Sequence, residues 1–197
     1  MKYEDLKDWK TKYGFSSPEK RMKIYYSPLA FAKTVQLVKA YQVEIGWNMV
    51  VTPYQDGYKV WDILVYPQKI SAARIYVDTG RWGLWKAMLD DETEASLFGH
   101  GHSHVFMSTF VSDVDENQQC EEILTKGKGF YFFQIWNKRN EINSLFYDID
   151  NKVFYQNKDI EIIVEDVDNF VSKSFYMVTP KRTPMEVGEG FESKQVV

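Results

Sequence analysis

The sequence is poor in cysteine and histidine, the residues that most often hold metal ions and redox centres. It contains one cysteine, Cys120, and three histidines, His100, His102 and His104. A single cysteine excludes a disulfide framework within the chain, a CxxC zinc site and a haem attachment motif, so we predict that Cys120 is a small buried side chain. Any imidazole chemistry must therefore use the segment from His100 to His104.

The sequence also lacks an excess of positive charge and any long apolar run. Its 28 acidic residues outnumber the 24 Lys and Arg, and the net charge of -4 argues against nucleic acid as a partner. No window approaches the roughly 20 consecutive apolar residues that cross a bilayer, and Met1–Asp8 lacks the apolar core of a secretory signal. Together with the single thiol, these absences predict a cytoplasmic protein without a membrane partner.

The length of 197 residues fits one domain with a sizeable core. We predict an N-terminal extension over residues 1–23, where Gly14 and Pro18 interrupt any helix, followed by the domain itself over residues 24–166. Residues 167–197 are predicted to form a C-terminal extension or tail, because two prolines and two glycines lie there among charged residues.

Capping residues and apolar periodicity indicate the secondary structure. A helix is predicted to start at Ser27-Pro28, since Ser is a preferred N-cap and Pro is favoured at the first helical position, and to run to about Val43. Apolar runs on both sides of Asp56-Gly57 predict a β-hairpin. We predict further helices at 82–89 and 112–126, and further strands at 74–77, 95–99, 130–136, 141–148 and 152–164.

Strands outnumber helices in this pattern, and they follow one another in hairpins. The polar segments 138–140 and 150–151 are typical hairpin connectors. The sequence therefore predicts an α/β or α+β domain in which a mixed, largely antiparallel β-sheet is flanked by helices.

One constellation of residues can carry chemistry. On a strand, His102 and His104 lie on the same face because side chains alternate, so two imidazoles are presented side by side. Ser112 is a natural N-cap for the next helix, and Asp115 follows one turn into it. Two imidazoles and one carboxylate form a three-ligand site with a fourth position for water, which is the catalytic pattern for zinc.

Each part of the constellation also has an ordinary structural interpretation. An isolated H-x-H is common by chance, and S-x-x-D before an apolar turn is usually a capping box. The functional interpretation gains support because every histidine lies here and because Glu44 supplies an upstream acid. Glu44 stands between the first helix and an apolar run, an unfavourable place for a carboxylate without a partner.

The complete pattern, H-x-H-x7-S-x2-D with an upstream glutamate, resembles the JAMM (MPN+) metalloprotease family, whose members are also called JAB-like domains. The resemblance covers roughly residues 25 to 165 and is closest to single-domain prokaryotic and phage members. It implies a JAB/MPN-like fold with cytidine-deaminase-like layering. It also implies that His102, His104 and Asp115 bind Zn²⁺, that Glu44 hydrogen-bonds the activated water, and that Ser112 helps to hold the oxyanion.

The sequence departs from the family motif at four positions. Gly46 follows Glu44 after one residue, whereas the family more often has E-x-x-G, and Val105 and Val111 replace residues that are often proline. His100 occupies a position that is often a bulky aromatic residue. We interpret His100 as a neighbour of the ligands, because a third imidazole would close the position that catalysis needs.

The resemblance implies a zinc-dependent hydrolase that cleaves a peptide or isopeptide bond through an activated water. The substrate would be a protein or peptide, such as the C-terminus of a ubiquitin-like protein, in the cytoplasm of a bacterial or phage-infected cell. The alternative is a non-catalytic MPN-like scaffold or phage accessory protein that binds a partner. Hydrolysis of a small-molecule amide is a third hypothesis, because the motif activates water without choosing the acyl group.

Overall fold

The computed structural model describes residues 9–71 and 74–165, which belong to one unit, Met1–Glu165. Its helices are α1 (Trp9–Lys12), α2 (Pro28–Ala40), α3 (Thr79–Ala87), α4 (Asp91–Ala95) and α5 (Asp113–Lys126), with a 3-10 helix at Asn157–Asp159. The strands are β1 (Met22–Tyr26), β2 (Gly46–Tyr54), β3 (Gly57–Leu64), β4 (Gln68–Ser71), β5 (Arg74–Val77), β6 (Leu97–Ser103), β7 (Phe130–Trp136), β8 (Ile142–Asp148), β9 (Val153–Tyr155) and β10 (Ile160–Val164). No helix in the described part is long and apolar enough to cross a membrane. The predicted tail at 167–197 lies outside the described residues.

Eight strands form one mixed sheet in the order β10-β1-β3-β2-β6-β7-β8-β9, and β4 and β5 form a separate hairpin. Four of the seven pairings in the large sheet are antiparallel, which confirms the predicted mixed, largely antiparallel sheet. The β6-β7 pairing is parallel, and helix α5 makes the crossover between these two strands. Strand β6 therefore lies in the interior of the sheet and leads towards the start of α5.

The large sheet curls strongly, because its two edge strands are neighbours in the chain. Strands β9 and β10 occupy opposite edges, and only residues 156–159 separate them. A flat sheet of eight strands would separate its edges by about 34 Å, whereas so short a connection spans at most about 17 Å. The Tyr58 ring of β3 accordingly reaches Phe130 of β7 and Phe146 of β8, with ring centroids 4.3 and 4.6 Å away.

The two faces of the sheet carry separate apolar cores. One core packs with α2 and includes Val38, Trp47 and Phe132. The other contains Cys120 and Ile123 of α5 together with residues of β7, β8 and α1. Because helices cover both faces, all seven residues of β7 are buried. The predicted burial of Cys120 is confirmed.

Helix α2 begins as the sequence predicts. Ser27 is its N-cap, and the Ser27 hydroxyl accepts a hydrogen bond from the Ala30 backbone N–H at 3.1 Å. The helix ends at Ala40, earlier than the predicted Val43, because Tyr41 already has an extended backbone. Glu44 therefore lies between the end of the helix and Gly46, the first residue of β2.

The predicted hairpin between β2 and β3 is present, but the turn is not the reason that position 57 is a glycine. Tyr54 pairs with Gly57, so the two connecting residues are Gln55 and Asp56, and Gln55 has the positive φ of 49°. A Cβ on Gly57 would lie 2.0 Å from the Lys23 carbonyl oxygen of β1. Gly57 is therefore required by the close approach of a neighbouring strand rather than by the turn.

Other elements differ from their predicted limits for physical reasons. The strand predicted at 152–164 is divided by the 3-10 helix at Asn157–Asp159, where the chain passes from one sheet edge to the other. Residue 95, predicted as strand, belongs to α4, a short acidic helix without apolar periodicity that is capped by the Asp90 side chain. The predicted strand at 74–77 is confirmed and pairs with β4, which lacks a sequence signal of its own.

Candidate metal centre

The metal-ligand candidates lie where a parallel strand and its crossover helix meet. His102 is on β6, and His104 follows directly after the end of that strand. The His104 backbone N–H donates to the Trp136 carbonyl oxygen of β7 at 2.8 Å, so the strand ladder fixes the position of His104. Asp115 is in the first turn of α5. The three side chains are thus held by regular structure on both sides of the connecting loop.

The three candidate ligands converge on one point. The Nε2 atoms of His102 and His104 are 3.1 Å apart, and the Asp115 carboxylate lies 3.2 Å from the first and 3.9 Å from the second. Ligands that bind zinc tetrahedrally at 2.0 to 2.1 Å are about 3.3 Å from one another. The ligand atoms lie within 4.8 Å of one another, and together these three residues can hold a metal ion. The spacing of the donors fits such an ion.

A hydrogen bond outside the cluster determines which nitrogen of His104 can bind a metal. His104 Nδ1 lies 2.9 Å from the Ser108 carbonyl oxygen, which only accepts hydrogen bonds. Nδ1 therefore carries the proton, and the lone pair of Nε2 points toward His102 and Asp115. Burial lowers the pKa of His102 to about 4, with the Asp115 charge opposing the change. Its imidazole is therefore neutral at pH 7, as metal binding requires.

Ser112 holds the Asp115 carboxylate in place. The Ser112 backbone N–H and hydroxyl both donate to Asp115 Oδ2, at 2.8 and 2.6 Å, and the Asp115 N–H donates back to the Ser112 hydroxyl at 3.2 Å. These contacts form a complete capping box. Because Oδ2 receives both donors, Oδ1 is the oxygen nearer to His102. The ordinary structural interpretation of S-x-x-D and the ligand interpretation therefore apply to the same residues.

Glu44 lies beside the cluster, opposite His104. Gly46 pairs with His102, and the Ser103 N–H donates to the Ile45 carbonyl oxygen at 3.0 Å, so the same antiparallel register places Glu44 across from His104. Glu44 is 8% exposed. Its burial raises the pKa of its carboxyl, with His104 lowering that pKa and Asp115 raising it. The sequence could not show this proximity, because it depends on the pairing of β2 with β6.

His100 lies outside the group that can hold a metal in the described part of the chain. Its Nε2 is 3.0 Å from the Tyr66 hydroxyl, and the Tyr66 ring packs edge-on against Trp82 of α3. Burial raises the pKa of Tyr66, so its hydroxyl stays protonated and can donate to His100. The sequence did not predict the contact of Tyr66 with His100, because Tyr66 belongs to no motif. His100 therefore connects the ligand strand to the segment that carries α3.

Gly101 lets this histidine-rich strand pack closely on Trp47. A Cβ on Gly101 would lie 2.4 Å from the indole Cε2 and Nε1 atoms of Trp47, which is fully buried. Gly101 is therefore required for packing within the histidine motif. Sequence reasoning missed this requirement, because the contact comes from the facing strand β2.

We expect Gly101→Ala to destabilise the protein by about 3 kcal/mol, because a rigid buried indole has to move away from the new methyl group. Gly83→Ala is the matched control, since a Cβ at Gly83 meets nothing within 4 Å and the residue lies inside α3. That change should be neutral or stabilise by up to about 1 kcal/mol. Urea unfolding of the two variants measures both effects. Equal stability of both variants would contradict the close packing at Gly101.

A scan against protein-family models finds no match for this chain, and a search of the curated proteins finds none.

Proposed function

We propose that this protein is a metal-dependent hydrolase of the JAMM type that cleaves a peptide or isopeptide bond. The observation that carries the proposal is the convergence of His102, His104 and Asp115 at distances that fit one metal ion. Glu44 and Ser112, the two other residues of the motif, both lie next to that cluster. Under this proposal the curled sheet, with helices on both faces, corresponds to the JAB/MPN-like layering.

Zinc is the metal we propose. Two neutral imidazoles and one carboxylate are a common zinc ligand set, and three protein ligands leave a position for water or substrate. The side chains of His102 and Asp115 keep 10% and 12% of their surface exposed, so these two ligands are nearly but not fully covered. When bound there, Zn²⁺ supplies the Lewis acidity that makes water nucleophilic near neutral pH and polarises the scissile carbonyl.

Glu44 is the proposed general base. The strand register places Glu44 across from His104, and burial raises the pKa of its carboxyl group. A base whose pKa is closer to the working pH can both accept the proton of the attacking water and return it to the leaving amine. Glu44 therefore performs the proton transfers of the proposed reaction.

Ser112 has two proposed tasks that compete for one proton. Its hydroxyl proton goes to Asp115 in the structure and orients that carboxylate. The hydroxyl can serve a developing oxyanion only when this proton turns away from Asp115, and the Ser112 backbone N–H then still holds the carboxylate. The capping box thus lets Asp115 remain in place while the hydroxyl changes its partner.

The proposed substrates are proteins or peptides. The resemblance to the JAMM family extends this proposal to the C-terminal tail of a ubiquitin-like protein. The chemistry at the cluster acts on an amide carbonyl, and the surrounding surface has to select the acyl group.

We expect Glu44→Gln to keep the metal and lose about 10²- to 10⁴-fold in kcat, because the amide cannot accept the water proton. Metal content of the purified variant and hydrolysis of fluorogenic peptide and isopeptide substrates check this result. Glu161→Gln is the matched control, since Glu161 is an exposed residue of the edge strand β10. Full activity of Glu44→Gln would refute its role, and a zinc-loaded wild type that hydrolyses none of the substrates would refute the proposed function.

A further inference from the structure

The loop between His104 and Ser112 exposes large apolar side chains beside the candidate metal centre. Phe106 is 63% exposed, Met107 48% and Phe110 54%. This loop runs between two of the three candidate ligands, His104 and Asp115. A group of large apolar side chains exposed together marks a contact surface more often than a single one does.

The loop backbone is fixed although its side chains are exposed. Backbone carbonyl oxygens along the loop accept hydrogen bonds from residues at or next to the turn between β7 and β8, and from the His104 side chain. The donors are the Lys138 N–H to Val105 at 2.7 Å, the Asn137 side chain to Met107 at 2.8 Å, His104 Nδ1 to Ser108 at 2.9 Å and the Asn143 side chain to Thr109 at 2.7 Å. Both asparagines lie at or next to the turn between β7 and β8. These hydrogen bonds hold the backbone of the loop in one path.

The backbone at Val105 adds a second sign of a functional loop. Its φ is 48°, in the left-handed region that a β-branched residue rarely adopts. Such strain persists where the surrounding structure enforces it, and it is concentrated at functional sites. A proline, which is frequent at this place in the JAMM family, could not adopt this φ. The loop of this chain therefore takes a path that a proline at this position would exclude.

Phe110 packs directly on one of the candidate ligands. Its ring packs edge-on against the His104 imidazole, with centroids 5.4 Å apart. Phe106 differs, because Lys138 Nζ lies 5.5 Å from the centroid of its ring. The aromatic surface that a substrate meets next to the cluster is therefore that of Phe110, with Met107 on the same loop.

We propose that Phe110 and Met107 form a specificity subsite that receives a bulky apolar side chain of the peptide substrate, on a residue flanking the scissile bond. This inference rests on the proposed function. A residue flanking the scissile amide would lie next to the metal ligands, and the Phe110 ring packs against one of these ligands, His104. An aromatic ring with a flexible thioether neighbour favours apolar side chains of several shapes.

The test compares peptides that carry Phe, Leu, Ala or Asp at the two positions flanking a fixed amide. Binding is measured with zinc-loaded Glu44→Gln protein, and turnover with zinc-loaded protein that keeps Glu44. The subsite predicts tighter binding and higher kcat/KM for Phe and Leu than for Ala at one of the two positions. Phe110→Ala should reduce that preference by about 10-fold in both measurements, a loss typical of removing apolar contacts from a pocket, while zinc content stays unchanged.

Leu29→Ala is the matched control, because Leu29 is 62% exposed on α2, the helix that packs with the other core. Equal binding of all peptides by the parent protein, or an unchanged preference in Phe110→Ala, would overturn the subsite. Burial of Phe110 in a dimer, shown by a change of sedimentation in Phe110→Ala alone, would also overturn it. Peptide-selective binding without any turnover by the zinc-loaded protein with Glu44 would refute the proposed function but support a recognition surface for apolar side chains.

Discussion

Zinc added to the metal-free protein is expected to raise its free energy of unfolding by about 4 kcal/mol when free zinc exceeds the dissociation constant 1,000-fold. The reason is that the folded chain alone brings His102, His104 and Asp115 together, at 3.1 to 3.9 Å between ligand atoms. The capping box and the bond from His104 to Ser108 orient two of these ligands before the metal arrives. Thermal or urea unfolding at increasing zinc concentration measures the gain.

Substitution of the ligands should remove this stabilisation. His104→Ala and Asp115→Ala each leave two ligands, so we expect neither variant to retain bound zinc through gel filtration or to hydrolyse a peptide. Asp113→Asn is the matched control, since Asp113 is an exposed acid in the same helical turn and is not part of the cluster. If His104→Ala showed the same zinc-dependent gain as the parent, the metal would bind elsewhere and the proposed centre would be wrong. If neither parent nor variants bound zinc, the scaffold alternative would be favoured.

Acid should destabilise the metal-free protein through its buried imidazoles. Burial and the His102 charge together lower the pKa of His100 to about 3, with the Asp115 charge opposing the change, whereas an unfolded histidine titrates near 6.5. Above pH 6.5 His100 is neutral in both states and its contribution to stability is fully present. As the pH falls from 6.5 toward 3, the unfolded chain takes up a proton that the folded protein excludes, so stability is lost. At about 1.4 kcal/mol per pH unit, the loss from His100 is on the order of 3 kcal/mol by pH 4.

The variant His100→Gln isolates this contribution. Glutamine does not titrate, and its amide can replace the hydrogen bond to Tyr66, so the variant should lose less stability than the parent between pH 6.5 and pH 4. Urea unfolding at several pH values, with a chelator present, gives the slope of unfolding free energy against pH for the parent and for the variant. The slope of the variant should remain above zero because His102, whose pKa burial lowers to about 4, still titrates. Identical slopes for parent and variant would show that the folded protein admits a proton at His100.

The candidate ligands could be predicted from the sequence because their geometry is largely local. Strand alternation places His102 and His104 on one side, and a Ser N-cap with an acid three residues later is a local motif. Glu44 needed more than local geometry, since only the register of β2 against β6 places it across from His104. In the sequence, only the unfavourable location of this carboxylate next to an apolar run indicated that Glu44 has a partner.

The curled sheet could not be predicted, because its pairings connect distant parts of the chain. Strand β1 pairs in parallel with both β3 and β10, and nothing in the period of its five residues specifies these neighbours. The same holds for Gly57 and Gly101, whose close contacts are with Lys23 and Trp47 on neighbouring strands. Periodicity indicates which face is buried, but it does not identify what covers that face.

The pairing of β1 with β10 also affects the order of folding. Met22 pairs with Ile160, so the two strands that complete the sheet stand near opposite ends of the described chain. Closing so long a loop costs conformational entropy, and the contacts that compensate for this cost form only afterwards. Domains with many such pairings therefore fold more slowly. The β6–α5–β7 unit, which carries His102, His104 and Asp115, is contiguous in sequence and does not depend on that closure. The segment that holds the ligands can therefore assemble early, before the last strand completes the sheet around it.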